Sequence, residues 1–167
     1  METQDYSDWL QALSECFALP DPQTVDLLQA IDAIQGSRLK AEYAGYSVET
    51  VAAYRALFEA SDSGVSLNMS DYLDGEQAAD KQQQLAQICE KLGLSQDDEF
   101  EPMLGSLPEL LEISALLAQH DVAVAKGFLQ HFAGDWLASA AEALRERDGG
   151  ALYAAMIGQV QDFIQAG

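Results

Sequence analysis

Four side chains in this sequence have the chemistry of a metal ligand or a nucleophile: His120, His131, Cys16 and Cys89. A metal site needs such ligands at close spacing, for example two histidines one helical turn apart. The two histidines are 11 residues apart, and neither has another His or Cys close in sequence. Neither cysteine has a histidine or a basic residue directly beside it that would favour a nucleophilic thiolate. The sequence therefore predicts no metal, no cofactor and no catalytic site, and the protein is not expected to be an enzyme.

Two clusters of acidic and aromatic residues remain as candidates for a binding site. The first contains Asp71, Tyr72, Asp74 and Glu76, at the end of the one long stretch that has no helical periodicity, about 61–75. The second is the run EFEP at 99–102. Carboxylates beside an aromatic face suit an arginine, which can pair with the acid and stack on the ring. The alternative is that the aromatic residues only anchor their loops on the core.

The charge of the chain excludes two classes of ligand. There are 28 Asp and Glu against 8 Lys and Arg, a net charge of −20, and the first basic residue is Arg38. Nucleic acid is not expected to bind, because phosphate contacts need a basic patch. An anionic membrane surface is not expected for the same reason. The acidic surface would attract a basic protein partner, or would serve solubility alone.

Targeting signals and membrane spans are not evident. No run approaches the roughly 20 apolar residues that cross a bilayer. The first ten residues are acidic and do not resemble a signal peptide. Cys16 and Cys89 are far apart and are expected to be reduced and buried. We therefore expect a cytoplasmic protein with no stable insertion in a membrane.

Hydrophobic periodicity predicts an all-α fold. Apolar residues recur at helical spacing in almost every segment, and the chain length favours one domain, 1–167. We predict a bundle of about seven helices with one long irregular loop near 61–75. The helix after Ser106 is apolar around most of its girth and is expected to be central. One long helix is expected from Asp121 to about Arg147, although Gly134 would allow a bend.

Helix starts are indicated by residues that favour the N-cap position. Ser and Asp side chains there accept a hydrogen bond from a backbone N–H of the first turn. The expected caps are Asp21, Ser47, Asp74, Ser106 and Asp121. Asp21 is followed by a proline, which suits the first helical position.

Several motifs, taken in order, resemble the TorD/DmsD/NarJ family of redox-enzyme maturation chaperones. Tyr54, Leu57 and Phe58 form a Tyr-x-x-Leu-Phe helix end, and VSLNMSDY at 65–72 is similar to the Ser-rich loop that follows it. The C-terminal third, FLQHFAGDWLASAAEAL and then ALYAAMIGQVQDFI, is similar to the last two helices of the family. The sequence of these motifs most resembles that of the NarJ branch of the family.

The chain departs from the family at its best-known signature, an acidic-Pro-x-Asp-His run. Glu101 and Pro102 are kept, but Leu104 and Gly105 stand in place of Asp and His. Any role that depends on that Asp-His pair is not expected to carry over.

The resemblance implies a cytoplasmic chaperone for a molybdopterin oxidoreductase. Such proteins bind the N-terminal segment of the catalytic subunit, often a twin-arginine leader, and assist cofactor insertion before export or membrane attachment. Family members are monomers or swapped homodimers. The alternative function is that of an acidic helical adaptor or regulator that binds another basic protein.

We expect the peptide groove to lie between the loop 65–74 and the region 101–117. A basic and apolar segment would need acids on the rim and apolar side chains on the floor. The residues assigned to these roles are Asp71, Asp74 and Glu101 for Arg or Lys, and Met69, Tyr72, Pro102 and Leu104 for the apolar contacts.

Overall fold

Helices account for most of the chain, as predicted. The computed structural model describes residues 2–60, 64–93 and 105–166. Within these ranges there are eight α-helices, two short 3₁₀ helices (Leu39–Glu42 and Met69–Asp71) and no β-strand. No helix in these ranges is both long and apolar enough to cross a membrane. The α-helices are α1 (Thr3–Cys16), α2 (Thr24–Gln35), α3 (Val48–Phe58), α4 (Gly75–Lys91), α5 (Leu107–Ala118), α6 (Val122–Ala133), α7 (Leu137–Arg145) and α8 (Ala151–Gln165).

Helix α5 is the central helix, which confirms the prediction from its apolar girth. Helix α1 packs along α5 more extensively than any other pair of helices pack together. Two buried hydroxyls of α1 join the helices: Ser7 Oγ donates to the Ala115 carbonyl at 2.9 Å, and Ser14 Oγ donates to the Pro108 carbonyl at 2.6 Å. These bonds satisfy serines that would otherwise be costly to bury. The buried residues of α5 are Leu107, Leu110, Leu111, Ile113, Ser114, Ala115 and Ala118.

The expectation of one long helix from 121 to 147 is wrong, because the chain turns between α6 and α7. Gly134 is a weak helix former, and its N–H is shared between the carbonyls of Leu129 and Gln130, as at a helix end. The turn buries Trp136, whose indole N–H donates to the Phe132 carbonyl at 2.8 Å. Because both halves carry apolar residues at helical spacing, periodicity alone could not reveal the break.

Four of the five predicted N-caps are confirmed. Each accepts a hydrogen bond from an N–H in the first turn of its helix: Ser47 from Thr50, Asp74 from Gln77, Ser106 from Glu109 and Asp121 from Ala123. The assignment of Asp21 is wrong, since α2 begins at Thr24 after Gln23. The Asp21 carboxylate accepts from the N–H of Gln23 at 2.7 Å, which closes a turn before the helix.

Helix α3 is attached to the bundle mainly through its C-terminal half. Leu57 is the one buried residue of this helix, and Val48 at its start is 83% exposed. The Tyr54 hydroxyl donates to the carbonyl of Phe17, at the end of α1, at 2.7 Å. The rings of Tyr54 and Phe58 also pack against Tyr153 of α8, with centroids 6.1 and 5.1 Å away. The first half of α3 therefore leaves space beside it.

Candidate functional site

The irregular stretch after α3 is fixed against the start of α5. Residues 64–67 have no regular secondary structure, and Asn68, which is extended, forms an isolated antiparallel bridge with Ser106. The N–H of Met69 donates to the Gly105 carbonyl at 3.1 Å, and that of Leu107 donates to the Leu67 carbonyl at 2.7 Å. The fold thus brings together the two segments that the sequence assigned to opposite walls of a groove.

A surface groove with a volume of about 480 Å³ lies along this bridge. This volume falls within the range of about 300–1,000 Å³ that is usual for ligand sites. Its lining comes from the end of α1, the C-terminal half of α3, the segment 64–71 and the start of α5. The apolar residues of the lining are Phe17, Tyr54, Phe58, Val65, Leu67 and Pro108.

Two carboxylates belong to the lining of this groove, those of Glu59 and Asp71. Glu59 lies 3.8 Å from the Arg55 guanidinium, in a pair that is more than half exposed and therefore weak. Asp71 is exposed and accepts a hydrogen bond from the Ser66 hydroxyl. Among the lining residues that the structure describes, none is basic. The groove combines aromatic and aliphatic surface with negative charge.

Met69 was predicted to line the apolar floor, but it is completely buried. It does not belong to the groove lining. Its side chain fills the space against Gly105, where an added Cβ would lie 2.8 Å from the Met69 Cε and 2.9 Å from its Cγ. In this arrangement Met69 anchors the loop in the core and offers no surface to a peptide.

Tyr72 anchors the loop on the core. Its ring stacks on that of Trp136, with centroids 5.2 Å apart and planes 10° from parallel. Its hydroxyl donates to the Ser66 carbonyl at 2.7 Å. Burial, and to a lesser extent the charge of Asp71, raises the pKa of this tyrosine. These contacts fit the anchoring role that the sequence left open, and a contact with a peptide remains a prediction.

Asp74 is exposed and caps α4, where its carboxylate accepts from the Gln77 N–H at 2.8 Å. It is absent from the groove lining as described. The other predicted site residues, Glu101, Pro102 and Leu104, lie outside the described residues. The second acidic and aromatic cluster, 99–102, also lies outside them.

Three aromatic residues of the groove were missed by sequence reasoning. Phe17 is part of the core, and Tyr54 and Phe58 pack against it. All three belong to the groove lining, but only Tyr54 and Phe58 keep part of their surface exposed, since Phe17 is 1% exposed. The Tyr-x-x-Leu-Phe motif was the one signal in the sequence that could have found Tyr54 and Phe58.

One carboxyl group beside the groove is unusual. One oxygen of Glu109, in the first turn of α5, is buried and has no hydrogen-bond partner in the described residues. Burial raises the pKa of Glu109 to about 7, a backbone hydrogen bond from Gly105 lowers it, and the charge of Glu112 raises it further. Glu109 is therefore partly protonated near neutral pH.

The histidines and cysteines do not come together in a metal or nucleophile site in the described part of the chain. There, no group of three or more His, Cys, Asp and Glu residues could hold a metal ion. The His131 ring lies 2.6 Å from the Gln84 amide oxygen, in a contact between α6 and α4. Cys16 and Cys89 are buried, and burial raises the pKa of the Cys16 thiol to about 12.

Comparison with known proteins gave no match to any family model, curated protein or solved structure. The family resemblance therefore rests on the motifs named above.

Proposed function

We propose that this protein is a cytoplasmic chaperone that binds the basic, apolar N-terminal segment of a molybdopterin oxidoreductase subunit. The segment lies in the groove between α3, residues 64–71 and the start of α5. The chaperone holds it while the cofactor is inserted and releases it before export or membrane attachment. The class of client is proposed from the family resemblance, and the binding site is proposed from the position of the groove.

The observation that carries this proposal is the composition of the groove. Six apolar residues line it together with the carboxylates of Glu59 and Asp71, and none of its described lining residues is basic. Four of the six apolar residues, Tyr54, Phe58, Leu67 and Pro108, keep part of their surface exposed, whereas Phe17 and Val65 are buried. An apolar segment with Arg or Lys gains contact area from these four and charge complementarity from the two carboxylates. A segment that orders on binding loses conformational entropy, so affinity is modest and release is easy.

Calorimetric titration with N-terminal peptides of molybdoenzyme subunits tests the proposal. We expect binding at low salt, weakened when arginine is replaced by citrulline, its neutral isostere. Indifference to that replacement, or no binding to any such peptide at low salt, would refute the proposal.

Two neighbouring aspartates provide a matched pair of variants. Asp71→Asn removes the carboxylate that lines the groove and should weaken peptide binding by about three- to tenfold, the range for an exposed charge pair with a hydrogen bond. Asp74→Asn makes the same change in charge three residues away, and asparagine still caps a helix. Equal effects of the two variants would show that binding follows overall charge and not this groove.

The distribution of charge supports a second candidate, an acidic adaptor for another basic protein. Only two of the acidic residues of the described chain line the groove. Residues 1–37 alone carry seven acids and no base. For an adaptor, neutralising exposed acids of α1 and α2, such as Asp8→Asn with Asp26→Asn, should weaken binding of a lysine-rich peptide. Asp71→Asn should then have no larger effect than any other single neutralisation.

A further inference from the structure

A second, smaller cavity lies beside the first half of α3. Its volume is about 210 Å³, and its lining joins the 3₁₀ turn before α3, one face of α3 and the start of α8. Tyr54 contributes to both cavities, and no other described residue does. The two cavities therefore share one residue and otherwise have different linings. The smaller cavity is below the usual size of a small-molecule site, and it fits one long side chain.

The walls of this cavity are suited to a cation with an extended apolar stem. Three tyrosine rings line it, those of Tyr43, Tyr54 and Tyr153. Ring faces attract a guanidinium group and pack against its methylene stem. The ring of Tyr153 is mostly buried, so this surface is held in place by the core.

Negative charge is available at the same cavity. Glu42 and Glu49 belong to its lining, and none of the described lining residues is basic. Neither glutamate forms an ion pair with another residue of the described ranges. Both side chains are exposed, as expected for a rim and not a floor. A planar guanidinium can donate hydrogen bonds to two such carboxylates at once.

Apolar surface continues outside the cavity. Tyr46 is 56% exposed and Val48 is 83% exposed, and they flank Ser47, which belongs to the lining. Large exposed apolar side chains next to a pocket are typical of protein contact sites. Residues adjacent to a bound side chain in a partner could pack here.

We propose that this cavity binds an arginine side chain of a partner protein, with the apolar neighbours of that arginine on Tyr46 and Val48. The site does not depend on the peptide groove or on the identity of a molybdoenzyme client. It gives the acidic surface a defined point of contact for a basic, apolar segment.

The probe is a short capped peptide with one arginine between two leucines, titrated into the isotopically labelled full-length protein and followed by NMR. We expect saturable shifts of backbone signals from residues 42–54 and 149–153. The citrulline peptide should bind about tenfold more weakly, since it keeps the shape but loses the charge. Equal binding of both peptides, or shifts confined to residues 64–71, would overturn the proposal.

Two double variants, one of them a control, separate a defined site from general attraction to an acidic protein. Glu42→Gln with Glu49→Gln should weaken binding of the arginine peptide by about three- to tenfold. The control, Glu90→Gln with Glu142→Gln, makes the same charge change at exposed positions outside the cavity and should have little effect. Similar losses in the two double variants would refute a localised site.

Ala53→Leu tests the cavity without any change in charge. Ala53 belongs to the lining, and leucine is a strong helix former, so the variant should fold. The larger side chain occupies the space for the stem and should abolish saturable binding. Asp71→Asn, in the other groove, should leave the peptide-induced shifts of residues 42–54 and 149–153 unchanged, which separates a failure here from a failure of the proposed function. Unaltered binding by Ala53→Leu would contradict the proposal.

Discussion

Gly105 connects the loop of the groove to the central helix, and replacing it with alanine should destabilise the protein. Gly105 has φ of +94°, a conformation that disfavours a Cβ. The new Cβ would also lie 2.8 Å from the Cε and 2.9 Å from the Cγ of Met69. Met69 is completely buried, so it cannot move aside into solvent.

The expected magnitude is the sum of two effects. The positive φ costs a non-glycine residue about 1–2 kcal/mol. Overfilling a closely packed site costs a further ~1–3 kcal/mol. We therefore expect Gly105→Ala to lower the free energy of unfolding by about 2–5 kcal/mol, a large share of the ~5–15 kcal/mol typical of a domain.

Urea unfolding, followed by circular dichroism, measures this change. Gly45→Ala is the matched control, since Gly45 has φ of +96° but nothing lies within 4 Å of an added Cβ. The control should show only the backbone cost, about 1–2 kcal/mol. The difference between the two variants then reports the contact with Met69.

Two results would refute this reasoning. A loss of stability below about 0.5 kcal/mol in Gly105→Ala would mean that neither the backbone nor Met69 is constrained as described. Equal losses in Gly105→Ala and Gly45→Ala would mean that Met69 repacks without cost. Either result would mean that the loop of the groove is not held against the core as tightly as described.

Three further predictions concern single side chains near the groove. Tyr72→Phe should lower the free energy of unfolding by about 0.5–1.5 kcal/mol, because it removes the bond to the Ser66 carbonyl and keeps the stack on Trp136; no change in urea unfolding would contradict this. Glu109 has a folded-state pKa raised to about 7, so its protonation stabilises the fold below about pH 4.5, and that stability is lost as pH rises through 7. Glu109→Gln should therefore become more stable relative to the unchanged protein as pH rises from 4.5 to 8, and a constant difference in melting temperature would refute the shift. Cys16, 4% exposed and with a thiol pKa raised to about 12, should resist alkylation at pH 8 until the protein unfolds, and rapid labelling seen by mass spectrometry of its peptide would contradict the burial.

Local rules of chain geometry made the helices predictable. The apolar spacing of α1 and the caps at Ser47, Asp74, Ser106 and Asp121 all depend on residues within one or two turns. The same rules failed where two local signals competed. Pro22 suited a helix start, but the Asp21 side chain closed a turn first, and the break at Gly134 was hidden by apolar residues on both sides.

The candidate site was only partly predictable, because a loop's contacts depend on what the rest of the chain brings near it. The sequence selected the stretch around Asp71 as a candidate site, and Asp71 belongs to the lining of the groove. It did not distinguish that residue from Asp74, which caps α4, or show that Met69 is buried and that Tyr72 stacks on Trp136. Asp74, Met69 and Tyr72 lie in the same short stretch of the sequence but have different surroundings in space.

The sequence by itself determined the all-α fold, the acidic surface and the central place of α5, because helical periodicity, charge and apolar content are properties of nearby residues. Tertiary structure alone decided that residues 67–69 pair with 105–107 and that Tyr54 and Phe58 line a groove beside Asp71. It also decided that Gly105 stands against Met69, where a side chain larger than hydrogen would collide. Such contacts join residues far apart in the chain, and their geometry follows from how the helices pack.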